Sequence, residues 1–244
     1  MNDADLAAHL AVDAGRILLA VRESGRHHGK ELGRAGDAEA NALLVKALRE
    51  LRPDDGLLSE EEKDSHARLG KERVWIVDPV DGTREYGEGR TDWAVHVALA
   101  VDGVPLVGAV ALPGLDLVLR SDRLTPLPAP SHPPRLVVSR TRPAKEAVEV
   151  AERIGGELVP MGSAGAKAMA VIRGEAEIYL HTGGQYEWDS CAPVAVARAH
   201  GLHCSRIDGS ALVYNNADTY MPDLLICRPE WAPRILDMMS PVAS

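Results

Sequence analysis

The chain contains no phenylalanine, and aromatic residues make up only 4% of its 244 residues. Aliphatic side chains must therefore fill most of the core, since hydrophobic residues still reach an ordinary 45%. No apolar run approaches the roughly 20 residues that a membrane-spanning helix needs, which argues against a membrane protein. The chain begins with an acidic, helix-like segment, M-N-D-A-D-L, so we expect no secretory signal.

Cysteine is also scarce, and acidic residues outnumber basic ones. Cys191, Cys204 and Cys227 are widely spaced and form no C-x-x-C pair. We therefore expect reduced, mostly buried thiols in a cytoplasmic protein, without a disulfide framework or a structural zinc site. The formal net charge of -9 argues against nucleic acid or an anionic membrane as a partner. An anionic small-molecule substrate stays compatible with this balance, because bound metal ions reverse the local field.

Hydrophobic periodicity describes the first half of the chain. Apolar residues at helical spacing predict a helix over residues 3–22 and a second helix that begins near residue 37 and ends at Pro53. The polar, Gly-rich segment 23–36 between them is predicted to be a loop. Alternating apolar residues over 73–121, with a turn at Asp102-Gly103, predict an antiparallel meander.

A proline-rich segment divides the chain. Residues 124–134 contain five prolines and predict a stiff, extended connector. The segment separates a mixed α+β part at 1–123 from a second part at 135–244. Strand and helix patterns alternate in the second part, which is typical of an α/β layer.

The most informative stretch is Trp75 to Tyr86, W-I-V-D-P-V-D-G-T-R-E-Y. A buried apolar strand leads directly into Asp78 and Asp81, and Thr83 follows. Two carboxylates at the end of a buried strand are costly unless a cation neutralises them, so the segment predicts a divalent-metal site. The alternative is a pair of ordinary turns, because Asp-Pro and Asp-Gly are frequent turn formers.

Three further acids occur in similar settings. Glu60 follows an apolar pair in S-E-E-E, Asp189 ends Y-E-W-D at a predicted helix start, and Asp37 opens another helix. Taken singly, these patterns are typical of a solvated face and of helix N-caps. Together they favour a site for Mg²⁺, which prefers oxygen ligands. Two such ions about 3.5–4 Å apart can stabilise both the attacking and the leaving oxygen of an in-line displacement.

The residues and the order of these motifs resemble those of the inositol monophosphatase superfamily, whose members are Mg²⁺-dependent, lithium-sensitive phosphatases. The resemblance rests on D-P-V-D-G-T at 78–83, the acidic pair at 59–61 and W-D at 188–189, and it spans roughly residues 35–230. It implies a layered α/β/α/β/α sandwich with a mixed N-terminal sheet and a smaller C-terminal α/β sheet. It further implies two or three Mg²⁺ ions, held by Glu60, Asp78, the Val80 carbonyl, Asp81 and Asp189.

The same resemblance assigns roles around the metal ions. Thr83 is expected to hydrogen-bond the nucleophilic water, with Asp37 as its partner. A threonine hydroxyl alone is too weak a base at pH 7, but water beside a metal has a lowered pKa and needs only orientation and a proton path. The backbone amides of Gly82 and Thr83 are expected to hold the phosphate.

Two segments are similar to the bisphosphate nucleotidase branch, the CysQ type. They are Arg84-Glu85-Tyr86 after the D-G-T motif and G-S-A-G-A-K at 162–167. The resemblance implies removal of the 3′-phosphate of 3′-phosphoadenosine 5′-phosphate in sulfate assimilation, with Lys167 as countercharge for the second phosphate. An ordinary exposed helix lysine is the alternative for that residue. The expected substrate contacts are Gly82, Thr83, Ser139, Arg140, Ser163 and Lys167.

Other readings stay open at this point. A phosphatase for inositol 1-phosphate or fructose 1,6-bisphosphate shares the same motifs, and a non-catalytic, metal-dependent nucleotide sensor is an alternative of another class. A haloacid-dehalogenase site needs Asp-x-Asp, whereas this chain has Asp-x-x-Asp, and 162–167 lacks the spacing of a P-loop. Gly33 to Gly36 replaces the Pro-x-Thr that usually precedes the residue equivalent to Asp37, so the resemblance fixes neither the geometry of a lid over the site nor the occupancy of a third metal position. The family often dimerises, and no sequence patch decides for or against a homodimer.

Overall fold

The computed structural model describes residues 1–240, and the last four residues of the predicted C-terminal part lie outside this range. The helices of the described chain are α1 (Asp3–Glu23), α2 (Gly29–Leu51), α3 (Thr83–Gly87), α4 (Lys145–Ile154), α5 (Ala164–Ile172), α6 (Glu187–Ala199) and α7 (Ala232–Met239). Its strands are β1 (Gly56–Ser59), β2 (Arg73–Asp81), β3 (Ala94–Val101), β4 (Val104–Leu112), β5 (Leu117–Arg120), β6 (Arg135–Ser139), β7 (Glu157–Met161), β8 (Ile178–Tyr186), β9 (His203–Ser205) and β10 (Tyr220–Cys227).

The first sheet has the order β1-β2-β3-β4-β5. Strand β1 runs parallel to β2, and the other neighbours are antiparallel, which confirms the predicted meander. Asp102 and Gly103 both have positive φ, at 49° and 75°, as a two-residue hairpin of matching twist requires. Both faces of β2 are buried: Trp75 packs with α1 and α2, whereas Ile76 packs with α5 and α6. This two-sided burial explains the unbroken apolar run.

The second sheet has the order β7-β6-β8-β10-β9. Strand β6 is parallel to both β7 and β8, and the remaining pairs are antiparallel. Its inner face, with Val137 and Tyr179, packs against α5 and α6, while Leu136 and Leu180 face α4 and α7. The layers therefore run helices, sheet, helices, sheet, helices, and the predicted five-layer sandwich is confirmed. Among residues 1–240, no helix has the length and apolar character to cross a membrane.

The predicted loop over 23–36 is too long, because α1 extends to Glu23 and α2 already begins at Gly29, which leaves only residues 24–28 between the helices. A Cβ on Gly33 would lie 2.6 Å from Thr83 Cγ2, and one on Gly36 would lie 2.7 Å from Tyr86 Cε1. Glycine costs about 1 kcal/mol in a helix relative to alanine. Here its lack of a side chain lets α2 pack directly on α3, and that contact outweighs local propensity. Asp37 therefore lies inside a helix and not at its start.

Candidate active site

The parallel pairing of β1 and β2 brings the first two acids together. Ser59 lies opposite Val77, and the amide of Glu60 donates to the Val77 carbonyl at 3.3 Å, so Glu60 and Asp78 follow at the same sheet edge. The β2–β3 register is irregular between Asp78 and Asp81. Such a bulge re-aims side chains, and here it turns both aspartates into one cleft.

Helix α6 supplies the third aspartate from the other half of the chain. Asp189 lies in its first turn, and one carboxylate oxygen from each of Asp78, Asp81 and Asp189 lies within 4.8 Å of the others. Asp78 is 1% exposed and Asp81 6% exposed. Buried carboxylates at this spacing repel one another unless a cation lies between them.

Asp78 and Asp189 are each fixed through one oxygen. The Oδ1 atom of Asp78 accepts from the Val80 amide at 3.0 Å, and the Oδ2 atom of Asp189 accepts from the Tyr186 amide at 2.6 Å. A carboxylate has about four lone-pair positions. Each side chain is therefore held in place while its second oxygen is free for a ligand.

Asp81 is held more tightly. Its Oδ2 atom accepts from the Ser163 hydroxyl and from the Gly165 amide, both at 2.6 Å, and its Oδ1 atom accepts from the Ala164 amide at 3.1 Å. The start of α5 therefore clamps this carboxylate. Oδ1, with one hydrogen bond, is the atom of Asp81 that keeps a lone pair for a cation.

His96 is a member of the site that sequence reasoning missed. The ring is fully buried on β3, and its Nδ1 atom lies 2.9 Å from the Trp188 carbonyl oxygen. Its Nε2 atom lies 3.2 Å from Asp81 Oδ2, an ion-pair distance without the alignment of a hydrogen bond. Burial raises the pKa of Asp81, but His96 and Ser163 outweigh it, and the pKa falls to about 2. A lone histidine in an apolar strand carries no local signal of this role.

The other acids bind protons more tightly than usual. Burial, followed by the charges of Glu60 and Asp81, raises the pKa of Asp78 well above its ordinary value. Glu60 is exposed as a residue, yet burial of its carboxylate, followed by the charge of Asp189, raises its pKa to about 7. Burial and Asp81 raise the pKa of Asp189 to about 6. An all-oxygen cluster that holds protons against repulsion fits a hard divalent cation, which would replace those protons.

Thr83 and Asp37 meet beside this cluster. Thr83 opens α3 after Gly82, whose φ of 88° is left-handed, and its hydroxyl donates to the Val80 carbonyl at 3.1 Å. Asp37 is buried on α2; burial and the charges of Glu61 and Glu60 raise its pKa to about 8, while the nearby Thr83 hydroxyl opposes this. The two side chains are thus brought together, and a direct Thr83–Asp37 hydrogen bond stays a prediction.

Lys167 is 5% exposed, so the alternative of an exposed helix lysine is wrong. Its ammonium donates to the carbonyl oxygens of Gly162 and Ser163, the latter at 2.8 Å. Ser163 in turn donates its hydroxyl to the Asp81 carboxylate. Both side chains are engaged by the protein itself, and their predicted contact with a substrate phosphate stays a prediction.

Arg140 links the two halves of the chain at the rim of the site. Its guanidinium donates to Glu85 at 2.6 Å and to Glu88, which ties the end of β6 to α3. The Ser139 hydroxyl accepts from the Arg142 amide at 3.3 Å. The structure thus places Ser139 and Arg140 near α3, where nucleotide contact remains a prediction.

Comparison with known proteins agrees with this geometry. The model of the inositol monophosphatase family matches residues 4–239. A Mycobacterium tuberculosis protein named 3′-phosphoadenosine 5′-phosphate phosphatase is 51% identical over 92% of this chain and 88% of its own. A protein of the same name from Mycobacterium leprae is 48% identical over 99% of this chain and 95% of its own. The crystal structure of CysQ from Bacteroides thetaiotaomicron superposes with a TM-score of 0.79 at 25% identity, covering 91% of this chain and 96% of that one.

These similarities run through both halves of the molecule and include the segments that carry the acids. They confirm the predicted fold and the predicted likeness to the CysQ-type phosphatases. The acidic cluster of Asp78, Asp81 and Asp189 is the kind of site that a metal-dependent phosphatase requires. The chain belongs to the inositol monophosphatase family.

Proposed function

We propose that this protein is a Mg²⁺-dependent phosphomonoesterase that removes the 3′-phosphate of 3′-phosphoadenosine 5′-phosphate, releasing AMP and phosphate, in sulfate assimilation. The observation that carries the proposal is the convergence of Asp78, Asp81 and Asp189 within 4.8 Å, next to Thr83. The names of the mycobacterial relatives, which share about half of their residues with this chain, support the choice of substrate.

The proposed metal ligands are the three aspartates and two groups at their edge. We assign two or three Mg²⁺ ions to carboxylate and carbonyl oxygens. Bound Mg²⁺ supplies a water of lowered pKa and neutralises charge that develops on the phosphate. The proposed ligand set is Glu60, Asp78, the carbonyl of Val80, Asp81 and Asp189.

The chain's own residues then position the reactants and move the proton. Thr83 orients the attacking water through its hydroxyl, and Asp37 takes up the proton that Thr83 passes on. Burial, followed by the charges of Glu61 and Glu60, raises the pKa of Asp37, so its carboxylate is a stronger base than an ordinary aspartate and suits uptake of that proton. The amides at the Gly82–Thr83 turn donate to the transferred phosphate, and no covalent phosphoenzyme is needed.

Two alternative functions would give different results when substrates are compared. Phosphatases for inositol 1-phosphate or fructose 1,6-bisphosphate need the same carboxylates and differ only at the rim of the site. A nucleotide sensor without turnover would need neither Thr83 nor Asp37, whereas both are present and adjacent. The retention of these two residues favours catalysis.

Phosphate release from the three substrates, side by side, tests the proposal. We expect Mg²⁺-dependent, Li⁺-inhibited hydrolysis that prefers 3′-phosphoadenosine 5′-phosphate over inositol 1-phosphate and fructose 1,6-bisphosphate. Equal or better rates on the other two substrates would overturn the proposed substrate assignment, and an absence of turnover on all three would favour the nucleotide sensor.

A variant of Thr83 tests its proposed role. Thr83→Val should lower kcat by about 10²–10⁴, the usual range for loss of proton-transfer assistance. The exposed Thr141→Val is the matched control and should behave like the wild type.

A further inference from the structure

The buried ring of His96 lies between the two segments that carry the three aspartates of the site. His96 is fully buried on β3, opposite Asp78 in the β2–β3 register. Its Nε2 atom lies 3.2 Å from Asp81 Oδ2, and its Nδ1 atom lies 2.9 Å from the carbonyl oxygen of Trp188, the residue before Asp189. One side chain therefore joins β2 to the start of α6, which belong to different halves of the chain.

The two ring nitrogens have different partners. A backbone carbonyl oxygen can only accept a hydrogen bond, so Nδ1 of His96 is the nitrogen that donates to Trp188. This contact fixes the rotation of the ring and directs Nε2 toward Asp81. Within residues 1–240, Nε2 makes no hydrogen bond of good alignment, and the charged group beside it is the Asp81 carboxylate.

The surroundings of the ring are apolar and closely packed. Ala94 and Ala98, which lie on the same face of β3 as His96, are small and fully buried. A Cβ on Gly165 would lie 2.0 Å from His96 Nε2, so the start of α5 covers the ring at a residue without a side chain. A polar ring is costly in such a place unless its nitrogen atoms serve a contact. The Asp81 carboxylate and the Trp188 carbonyl are the contacts that this ring serves.

The ring completes the set of groups around one oxygen of Asp81. Oδ2 accepts from the Ser163 hydroxyl and the Gly165 amide and faces His96 Nε2, whereas Oδ1 accepts from the Ala164 amide alone. The carboxylate cannot rotate without losing the three groups around Oδ2. The orientation that leaves a lone pair of Oδ1 for a cation is therefore maintained.

We propose that His96 is a positioning residue of the metal site, which holds Asp81 in its ligand orientation and ties this carboxylate to the helix start that carries Asp189. This inference rests on the proposed function, since it takes the acids as Mg²⁺ ligands. Without His96, repulsion among the buried carboxylates favours their separation, and cation binding must then bring them together again. Groups that orient metal ligands typically contribute about 10–100-fold to metal affinity.

Titration of the metal-free protein with Mg²⁺ in a calorimeter tests the assignment without turnover. His96→Leu removes both contacts and should weaken Mg²⁺ binding by about 10–100-fold. A glutamine amide can reach the position of Nε2, whereas an asparagine amide reaches only that of Nδ1. His96→Gln should therefore recover most of the Mg²⁺ affinity, and His96→Asn should resemble His96→Leu.

Val97→Ala is the matched control. Val97 is the next residue of β3 and is also fully buried, but it faces the opposite side of the sheet and packs with α1 and α2. Its truncation should lower the stability of the fold in urea denaturation and leave the Mg²⁺ affinity unchanged. A loss of stability is thereby distinguished from a loss of ligand orientation.

The kinetics of phosphate release give a second readout. The Mg²⁺ concentration at half-maximal rate should rise in His96→Leu by the same factor as the calorimetric Kd. At saturating Mg²⁺, KM for 3′-phosphoadenosine 5′-phosphate should equal that of the wild type, because His96 acts on the metal ligands and not on the nucleotide.

The outcomes separate this inference from the proposed function. If the wild type binds no Mg²⁺, the proposed function itself fails. If the wild type binds Mg²⁺ and His96→Leu binds it equally well, the function stands and the assignment of His96 is overturned. An equal loss of Mg²⁺ affinity in Val97→Ala would also overturn it, because it would reveal a general effect of packing.

The glutamine and asparagine variants keep the test decisive if the leucine variant does not fold. Tighter Mg²⁺ binding by His96→Gln than by His96→Asn would support the assignment, since only glutamine places a donor next to Asp81. Equal Mg²⁺ affinity in these two variants would overturn it.

Discussion

Asp189→Asn should stabilise the metal-free protein near neutral pH while it weakens Mg²⁺ binding. The pKa of Asp189 is raised from 3.8 to about 6, chiefly by burial and then by Asp81. At a pH between 3.8 and about 6, Asp189 keeps its proton in the folded protein but has released it in the unfolded chain. The folded state therefore loses stability as pH rises from about 4 to about 6, and the full penalty remains above that.

The size of the effect follows from the pKa values. One pKa unit is equivalent to about 1.4 kcal/mol, so the change from 3.8 to about 6 amounts to about 3 kcal/mol at most at pH 7.5. Partial exposure of Asp189 and adjustment of its acidic neighbours reduce this to about 1–2 kcal/mol. Asparagine keeps a carbonyl oxygen for the Tyr186 amide, so the substitution removes the charge and leaves the helix start intact.

Urea denaturation in EDTA, at pH 7.5 and at pH 4, is the assay. At pH 7.5 the variant should exceed the wild type in free energy of unfolding, and near pH 4 most of that difference should disappear. Added Mg²⁺ should stabilise the wild type more than the variant. The control is Asp237→Asn, which removes an exposed charge on α7. A variant less stable than the wild type in EDTA at pH 7.5 would refute the view that these acids repel one another.

Three further predictions concern the support of the site. A methyl group in Gly165→Ala would lie 2.0 Å from His96 Nε2, so it should displace the ring, cost about 1–3 kcal/mol and reduce Mg²⁺ affinity in calorimetry. The control is Gly70→Ala, where no atom lies within 4 Å of the added methyl group, and it should change neither the stability nor the Mg²⁺ affinity. Tyr86→Phe removes a buried hydroxyl that donates to the Leu18 carbonyl at 2.7 Å and should cost about 1–2 kcal/mol in urea denaturation, and an unchanged midpoint would contradict this. Mg²⁺ affinity should rise with pH through the pKa values of about 6 and 7 of two site acids, because binding displaces their protons, and a flat profile would exclude this linkage.

The acids of the site were predictable because the ends of strands and the starts of helices can be recognised from the local sequence. Asp78 and Asp81 interrupt an apolar run, and the parallel partner of that strand ends at Ser59, immediately before Glu60. The support of Asp81 was not predictable in the same way. His96 and the α5 start reach Asp81 only after both halves have folded, and nothing in their immediate sequence indicates the contact.

At the start of α2, the local sequence predicts the wrong structure. Gly33 and Gly36 are turn formers by local chemistry, and on that basis their segment is a loop. Their structural role depends on Thr83 and Tyr86, about fifty residues later, which fill the space that a side chain would take. The strands β7 and β9 and the helix α7 were not predicted, because elements of five, three and eight residues contain too few repeats of a pattern to be recognised.

The clamp on Asp81 makes the acidic cluster an indicator of how the chain assembles. β2 supplies Asp78 and Asp81, whereas Asp189 and the donors of α5 come from beyond the proline-rich segment. Neither half holds the whole of the proposed ligand set, so we expect cation affinity to arise only once the second sheet has docked through α5 and α6. Cation binding would then report assembly of the whole sandwich, and we expect a cut within 124–134 that separates the halves to abolish it even if each piece kept its own sheet.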